Sequence, residues 1–146
     1  MNTATLRLGR LLEVRIAAGY RTIEDVDLLF DAIGAEIGKL PRTRRVVIVA
    51  DWRFCPIMSA EAAERALSRI SNNNPRVERS AVVASRQSPT AVLQFLRIVR
   101  ESGHDHRKLF YEPSEVAPWL GEVLTPAERG RVVQFLQESF ELHATG

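Results

Sequence analysis

The chain has 146 residues, 45% apolar and 26% charged, with a formal net charge of +2 at pH 7. That length suits one domain with a sizeable core, and the modest charge excludes the strongly basic profile of a dedicated nucleic-acid binder. No apolar run approaches membrane-spanning length, the first twelve residues have no signal-peptide core, and a lone cysteine, Cys55, leaves no internal disulfide, so a cytoplasmic protein without a membrane span is expected.

Leu6 and Leu8 alternate with Arg7, and beyond Gly9-Arg10 the residues Leu12, Val14 and Ile16 alternate with Glu13 and Arg15. This period of two predicts half-exposed strands joined as a hairpin. Thr22 is placed as the cap of a helix with Ile23, Val26, Leu29, Phe30, Ile33 and Ile37 on its apolar face. Glu24, Asp25 and Asp27 fall in its first turns, where carboxylates complement the helix dipole, and Gly38 and Pro41 stop it. Arg42, Arg44 and Arg45 form the one dense basic cluster, which we read as a solvated loop in preference to a phosphate-binding patch.

Residues 46–50 and 81–84 are all apolar, too short for helices and without polar alternation. Such runs predict strands buried on both faces of a parallel sheet. After the first, Ser59 caps a helix whose narrow face is Ala63, Ala66, Leu67 and Ile70, and residues 71–75 read as a loop. After the second strand, placed at 79–84, Ser88-Pro89 opens a helix with the stripe Val92, Phe95, Leu96 and Val99, ended by Gly103. Residues 108–111 read as a short last strand. Ser114 is placed as the cap of a short helix carrying Val116, Trp119 and Leu120. Thr125-Pro126 opens a closing helix with Val132, Val133, Leu136 and Phe140 inward, and the tail beyond Leu142 is expected to fray. Trp119 is expected in the core; Trp52, just past a buried strand, is a candidate for a partly exposed anchor.

The order β-β-α-β-α-β-α-β-α-α predicts a single α/β domain. Its sheet is mostly parallel, four- to five-stranded, with an antiparallel N-terminal edge and flanking helices. Residues 1–124 form the core unit, and 125–146 a helical extension packed on it.

Two segments carry a resemblance. Arg76-Val77-Glu78-Arg79-Ser80-Ala81-Val82-Val83 looks like an arginine-then-strand entry, and Leu109-Phe110-Tyr111-Glu112-Pro113-Ser114-Glu115-Val116-Ala117-Pro118-Trp119-Leu120 like a strand, acidic turn and short helix ending in Trp-Leu. With the element order, these resemble the STAS family in its SpoIIAA-like (STAS/SEC14-like) branch, over residues 6–120. The resemblance implies a non-enzymatic regulatory module that works through protein contacts, as a homodimer. Regulatory members place an Asp-Ser pair at the start of the helix after the central strand and are phosphorylated on that serine. Here Met58 precedes Ser59, so Ser59 is a candidate phosphosite by position but reads first as a helix cap.

No Gly-x-Ser-x-Gly elbow, phosphate-binding P-loop or dinucleotide glycine fingerprint is present. His104-Asp105-His106 has metal-type ligands at i and i+2, yet nothing nearby completes a set, and His143 lies in the tail; we read a solvated loop and expect no metal or cofactor. Cys55 has Arg53 close enough to lower a thiol pKa but reads first as a small core hydrophobe. Open α/β sheets bind ligands at the carboxyl ends of their strands. Residues 51–58, 85–90 and 111–114 converge there. They offer Asp51, Trp52, Arg53, Ser59, Ser85, Arg86, Ser88 and Tyr111 as ligand-binding candidates, with helix N-termini at Ser59 and Ser88 suited to an anion.

Three functions rank in order: a protein-interaction module; a carrier of a lipid-like or anionic small molecule at that edge; and an enzyme using Asp51, Cys55 or the histidine pair. Whether Trp52, Phe54 and Met58 line a cavity or fill the core separates the first two.

Overall fold

A computed structural model describes residues 2–17 and 19–145, with side chains described through Leu142, so His143 lies outside the described side chains. One sheet runs in the order β1 (Thr3–Leu8), β2 (Leu11–Arg15), β3 (Val46–Asp51), β4 (Val77–Val83), β5 (Arg107–Phe110). β1 is antiparallel to β2 and all later neighbours are parallel. The helices are α1 (Ile23–Ile37), α2 (Ala60–Asn72), α3 (Pro89–Glu101), α4 (Val116–Leu120) and α5 (Pro126–Thr145). The fold is the expected α/β domain, and no helix among the described residues is long and apolar enough to cross a membrane.

Strands laid down in sequence order with right-handed crossovers place α1, α2 and α3 on the same face. That face closes over Leu12, Val14, Ile48, Ala50 and Val82 with Val26, Phe30, Ala62, Ala66 and Phe95. The opposite face, Leu11, Val47, Val49, Ala81 and Val83, would be bare without the C-terminal segment. Val116, Leu120, Val132, Phe135 and Leu136 cover it. The closing helix is therefore a layer of the domain, and it continues past Leu142 to Thr145 rather than fraying there.

Cover on both faces changes β2. It is buried on each side, not half-exposed, and Glu13 is only 3% exposed. Arg131 of α5 makes this possible, reaching Glu13 with Nε at 2.5 Å and Nη2 at 3.0 Å. The turn before β2 is held in a similar way. Glu128 joins Thr125 in a reciprocal cap at the start of α5, and its Oε2 also accepts the Arg10 N–H at 3.0 Å. Gly9 takes φ +56° there, and a Cβ on it would collide with the Glu128 carboxylate.

Thr22 and Ser59 cap α1 and α2 as expected. Other local readings shift. Ile23 is exposed at the edge of α1. Ser71 and Asn72 belong to α2, and Asn74–Arg76 forms a 3₁₀ turn, because Asn74 clasps the Ser102 carbonyl and the Arg107 guanidinium. β4 accordingly begins at Val77. In α3, Ala91 and Ile98 are buried while Leu96 is exposed. Ser114 lies inside a 3₁₀ turn, Pro113–Glu115, and caps nothing. Trp52 is buried, edge-on to Phe95 at 4.5 Å, whereas Trp119 is half-buried under Arg79. In α5 the inward positions fall to Phe135 and Ser139, leaving Val133 and Phe140 in solvent.

The outer edge of β1 is guarded. Glu36 of α1 accepts the Leu6 N–H at 2.9 Å and is itself paired with Lys39. Neighbouring Arg7 and a register shift between Leu6 and Leu8 further disfavour an added strand.

Phe135→Ala removes a ring from the core that α5 completes and is expected to cost about 3–5 kcal/mol, while Phe140→Ala on the outer side stays within about 1 kcal/mol. Equal losses in urea unfolding would show that α5 is not a core layer.

Candidate functional site

The irregular segment after β3 is pinned at both ends. Asp51 is 1% exposed. Its Oδ1 accepts Arg53 Nε at 2.9 Å and its Oδ2 accepts Arg53 Nη2 at 3.0 Å and the Ser139 hydroxyl at 2.5 Å. Arg53 Nη2 also donates to the Leu136 carbonyl at 2.7 Å, and Arg15 Nε donates to Ser139 Oγ at 3.0 Å. Burial alone pushes the Asp51 carboxyl up, but the bonds from Arg53 and Ser139 outweigh it and hold its pKa below the ordinary value. At the far end, the Gln94 amide donates to the Met58 carbonyl and accepts the Met58 N–H, both at 2.9 Å. In between, Pro56 packs against Gly19, whose φ of +73° and lack of a Cβ permit the approach.

The residues between these clamps form one wall of an open groove of about 720 Å³ across the carboxyl ends of the strands. Arg53, Phe54, Ser85, Arg86, Ser88, Tyr111 and Phe140 give it its character. The Arg86 guanidinium lies over the Tyr111 ring, 4.0 Å from its centre. Phe54 and Phe140 stand 6.1 Å apart, 39% and 51% exposed, with Arg53 over the Phe140 ring at 5.3 Å. A smaller hollow of about 310 Å³ joins it at Arg53, Pro113 and Phe140 and runs along α5 past Val133 and Gln137.

Of the sequence candidates, Arg53, Ser85, Arg86, Ser88 and Tyr111 meet in this groove. Asp51 and Trp52 lie beneath it, the first holding Arg53 in place and the second in the core. Ser59 is exposed outside the groove lining and spends its hydroxyl on the Ala62 N–H at 3.1 Å. Ser88 begins α3 without a side-chain cap, and Ser85 accepts the Gln87 N–H at 3.2 Å. Phe140, Pro113 and Glu112 were missing from the sequence candidates. Glu112 and Pro113 adjoin Tyr111 in sequence and were within reach of that reading, whereas nothing local marks Phe140.

The groups with reactive potential have structural partners or are buried. Burial pushes the Cys55 thiol up to about 12, and Arg53, expected to lower it, is turned to Asp51. His104 accepts the His106 N–H through Nδ1 and faces the Val77 carbonyl through Nε2 at 2.7 Å. Among the described residues no three His, Cys, Asp or Glu side chains gather as a metal site. The chain matches no family model, no curated protein and no solved structure.

Asp51 is held below its unfolded pKa, so its stabilising effect is complete above about pH 4 and is lost as pH falls through the folded value. The stability gap between wild type and Asp51→Asn is therefore wide at about pH 7 and narrows toward about pH 2; a gap constant with pH in urea titrations would contradict the pairing. Cys55 is expected to resist alkylation in the native protein at about pH 8 and to react once urea unfolds it.

Proposed function

We propose that the chain is a non-enzymatic regulatory module of STAS-like type that works through protein contact, as a homodimer joined at the groove. One observation carries this: an exposed apolar centre, Phe54, Phe140 and Val133, beside two charges of opposite sign with no ionic partner. Arg86 only stacks on Tyr111, and the Glu112 carboxylate has no hydrogen bond or ion pair among the described residues. A patch with an apolar middle, one cation and one anion complements itself under two-fold rotation, so Arg86 of each copy can meet Glu112 of the other. The guarded β1 edge turns association away from strand addition.

The resemblance to the SpoIIAA-like branch and the structural engagement of Asp51, Cys55 and His104 support a binding rather than a chemical role. The buried thiol suits a reducing, cytoplasmic setting. A carrier of a small lipid-like or anionic ligand fits less well. Trp52 and Met58 fill the core and only Phe54 reaches the groove, which is open. The void beneath the sheet, about 40 Å³ between Tyr20, Trp52 and Ser80, has room for water but not for an acyl chain.

Sedimentation equilibrium over about 1–100 µM tests the proposal. Wild type should dimerise and Phe140→Asp should not. Arg86→Glu and Glu112→Arg should each weaken the dimer about tenfold, and the double variant should restore it. A monomer throughout, or a charge swap that fails to restore association, rejects the groove as a self-contact.

A further inference from the structure

The opposite ends of the strands gather charge of one sign. Arg10 precedes β2, Arg42, Arg44 and Arg45 precede β3, and Arg76 and Arg79 flank the start of β4. Against these six arginines stand Glu78, Glu122 and Glu128, the last accepting the Arg10 N–H. Arg10 Nη1 and Arg45 Nη2 approach the same Glu78 oxygen, at 2.5 and 3.8 Å, and Arg79 pairs with Glu122 at 2.8 Å. The Arg10 bond, with the Arg45 and Arg79 charges behind it, holds Glu78 below the usual carboxylate range. Glu78 thus answers two guanidinium groups and Glu122 a third.

Arg76 shapes the loop before β3. Its Nη2 donates to the carbonyls of Ile37, Pro41 and Arg44 at 3.5, 3.3 and 3.4 Å. The turn between them closes through the Arg44 N–H and the Pro41 carbonyl at 2.9 Å. Arg42 and Arg44 therefore stand on a fixed turn, exposed, with no ion pair or side-chain hydrogen bond among the described residues. Arg76 Nε is buried without an acceptor. Since the whole chain carries only +2, this edge concentrates a positive field that the remaining surface offsets.

We infer that this arginine edge docks an acidic peptide segment of another protein, with Arg42 and Arg44 as its first contacts. Guanidinium forks take carboxylates two bonds at a time, and a preset turn lowers the ordering cost of doing so. No large exposed hydrophobic side chain lies on residues 39–45 or 76–79, so the loop has neither a membrane anchor nor a stacking platform for bases. The modest total charge also disfavours a long nucleic-acid footprint. The edge is remote from the groove, and the inference stands apart from the homodimer.

A fluorescein-labelled octaglutamate peptide, followed by anisotropy, tests it. Binding at low salt should weaken at least about tenfold in the double variant Arg42→Glu, Arg44→Glu, and fade as salt rises toward about 0.2 M. Arg21→Glu, exposed just before α1 and outside both surfaces, should leave it unchanged, and unaltered circular dichroism and melting would show that the double variant is folded. No saturable binding, an affinity untouched by the double variant, or tighter binding to a DNA duplex or to phosphatidylserine vesicles overturns the inference.

Discussion

Two carboxylates set on the α5 side of the sheet, Glu13 and Asp51, decide where that side of the molecule lies. Both are sealed from water, where an unpaired charge would cost several kcal/mol, on the order of a large share of a domain's stability. Each finds its partner on α5 or beside it: Arg131 for Glu13, Ser139 and Arg53 for Asp51. Apolar packing alone lets a helix slide or rotate on a flat strand surface. Two fixed polar contacts about two turns apart on α5 remove that freedom.

The groove inherits its form from this arrangement. With Ser139 turned in, Phe140 emerges one residue later beside Phe54, and Leu136 presents its carbonyl to Arg53. The arginine is thereby held at the junction of the two hollows without being available as a mobile cation. The two ends of the strands differ in kind. The carboxyl ends present aromatic rings and balanced charge, and the amino ends present guanidinium groups over few carboxylates. The two unlike surfaces lie at opposite ends of one sheet.

The buried strands were legible because cover on both faces leaves an all-apolar run, as in residues 46–50, and parallel topology then brought residues 53, 85, 86, 88 and 111 to one edge. The inner face of α5 was not legible. Phe140 follows Leu136 by four, the spacing of a core stripe, but Asp51 needed a donor and Ser139 took the inward place. That pairing spans 88 residues of chain, and Arg131 with Glu13 spans 118. No local pattern encodes contacts at such separations. Glu13 misled for the same reason: in β2 it alternates like a solvent-facing residue, and only its distant arginine makes burial tolerable. Trp52 lies outside the strand proper, and its burial depends on Phe95 and Tyr20 receiving it edge-on.

Glu36 at the backbone of Leu6 has a wider effect than one hydrogen bond. An uncovered outer strand is an open template on which identical chains can stack without limit, the geometry that ends in fibrils. Occupying its middle amide from a helix takes one site out of that template and leaves an added strand short of a bond there.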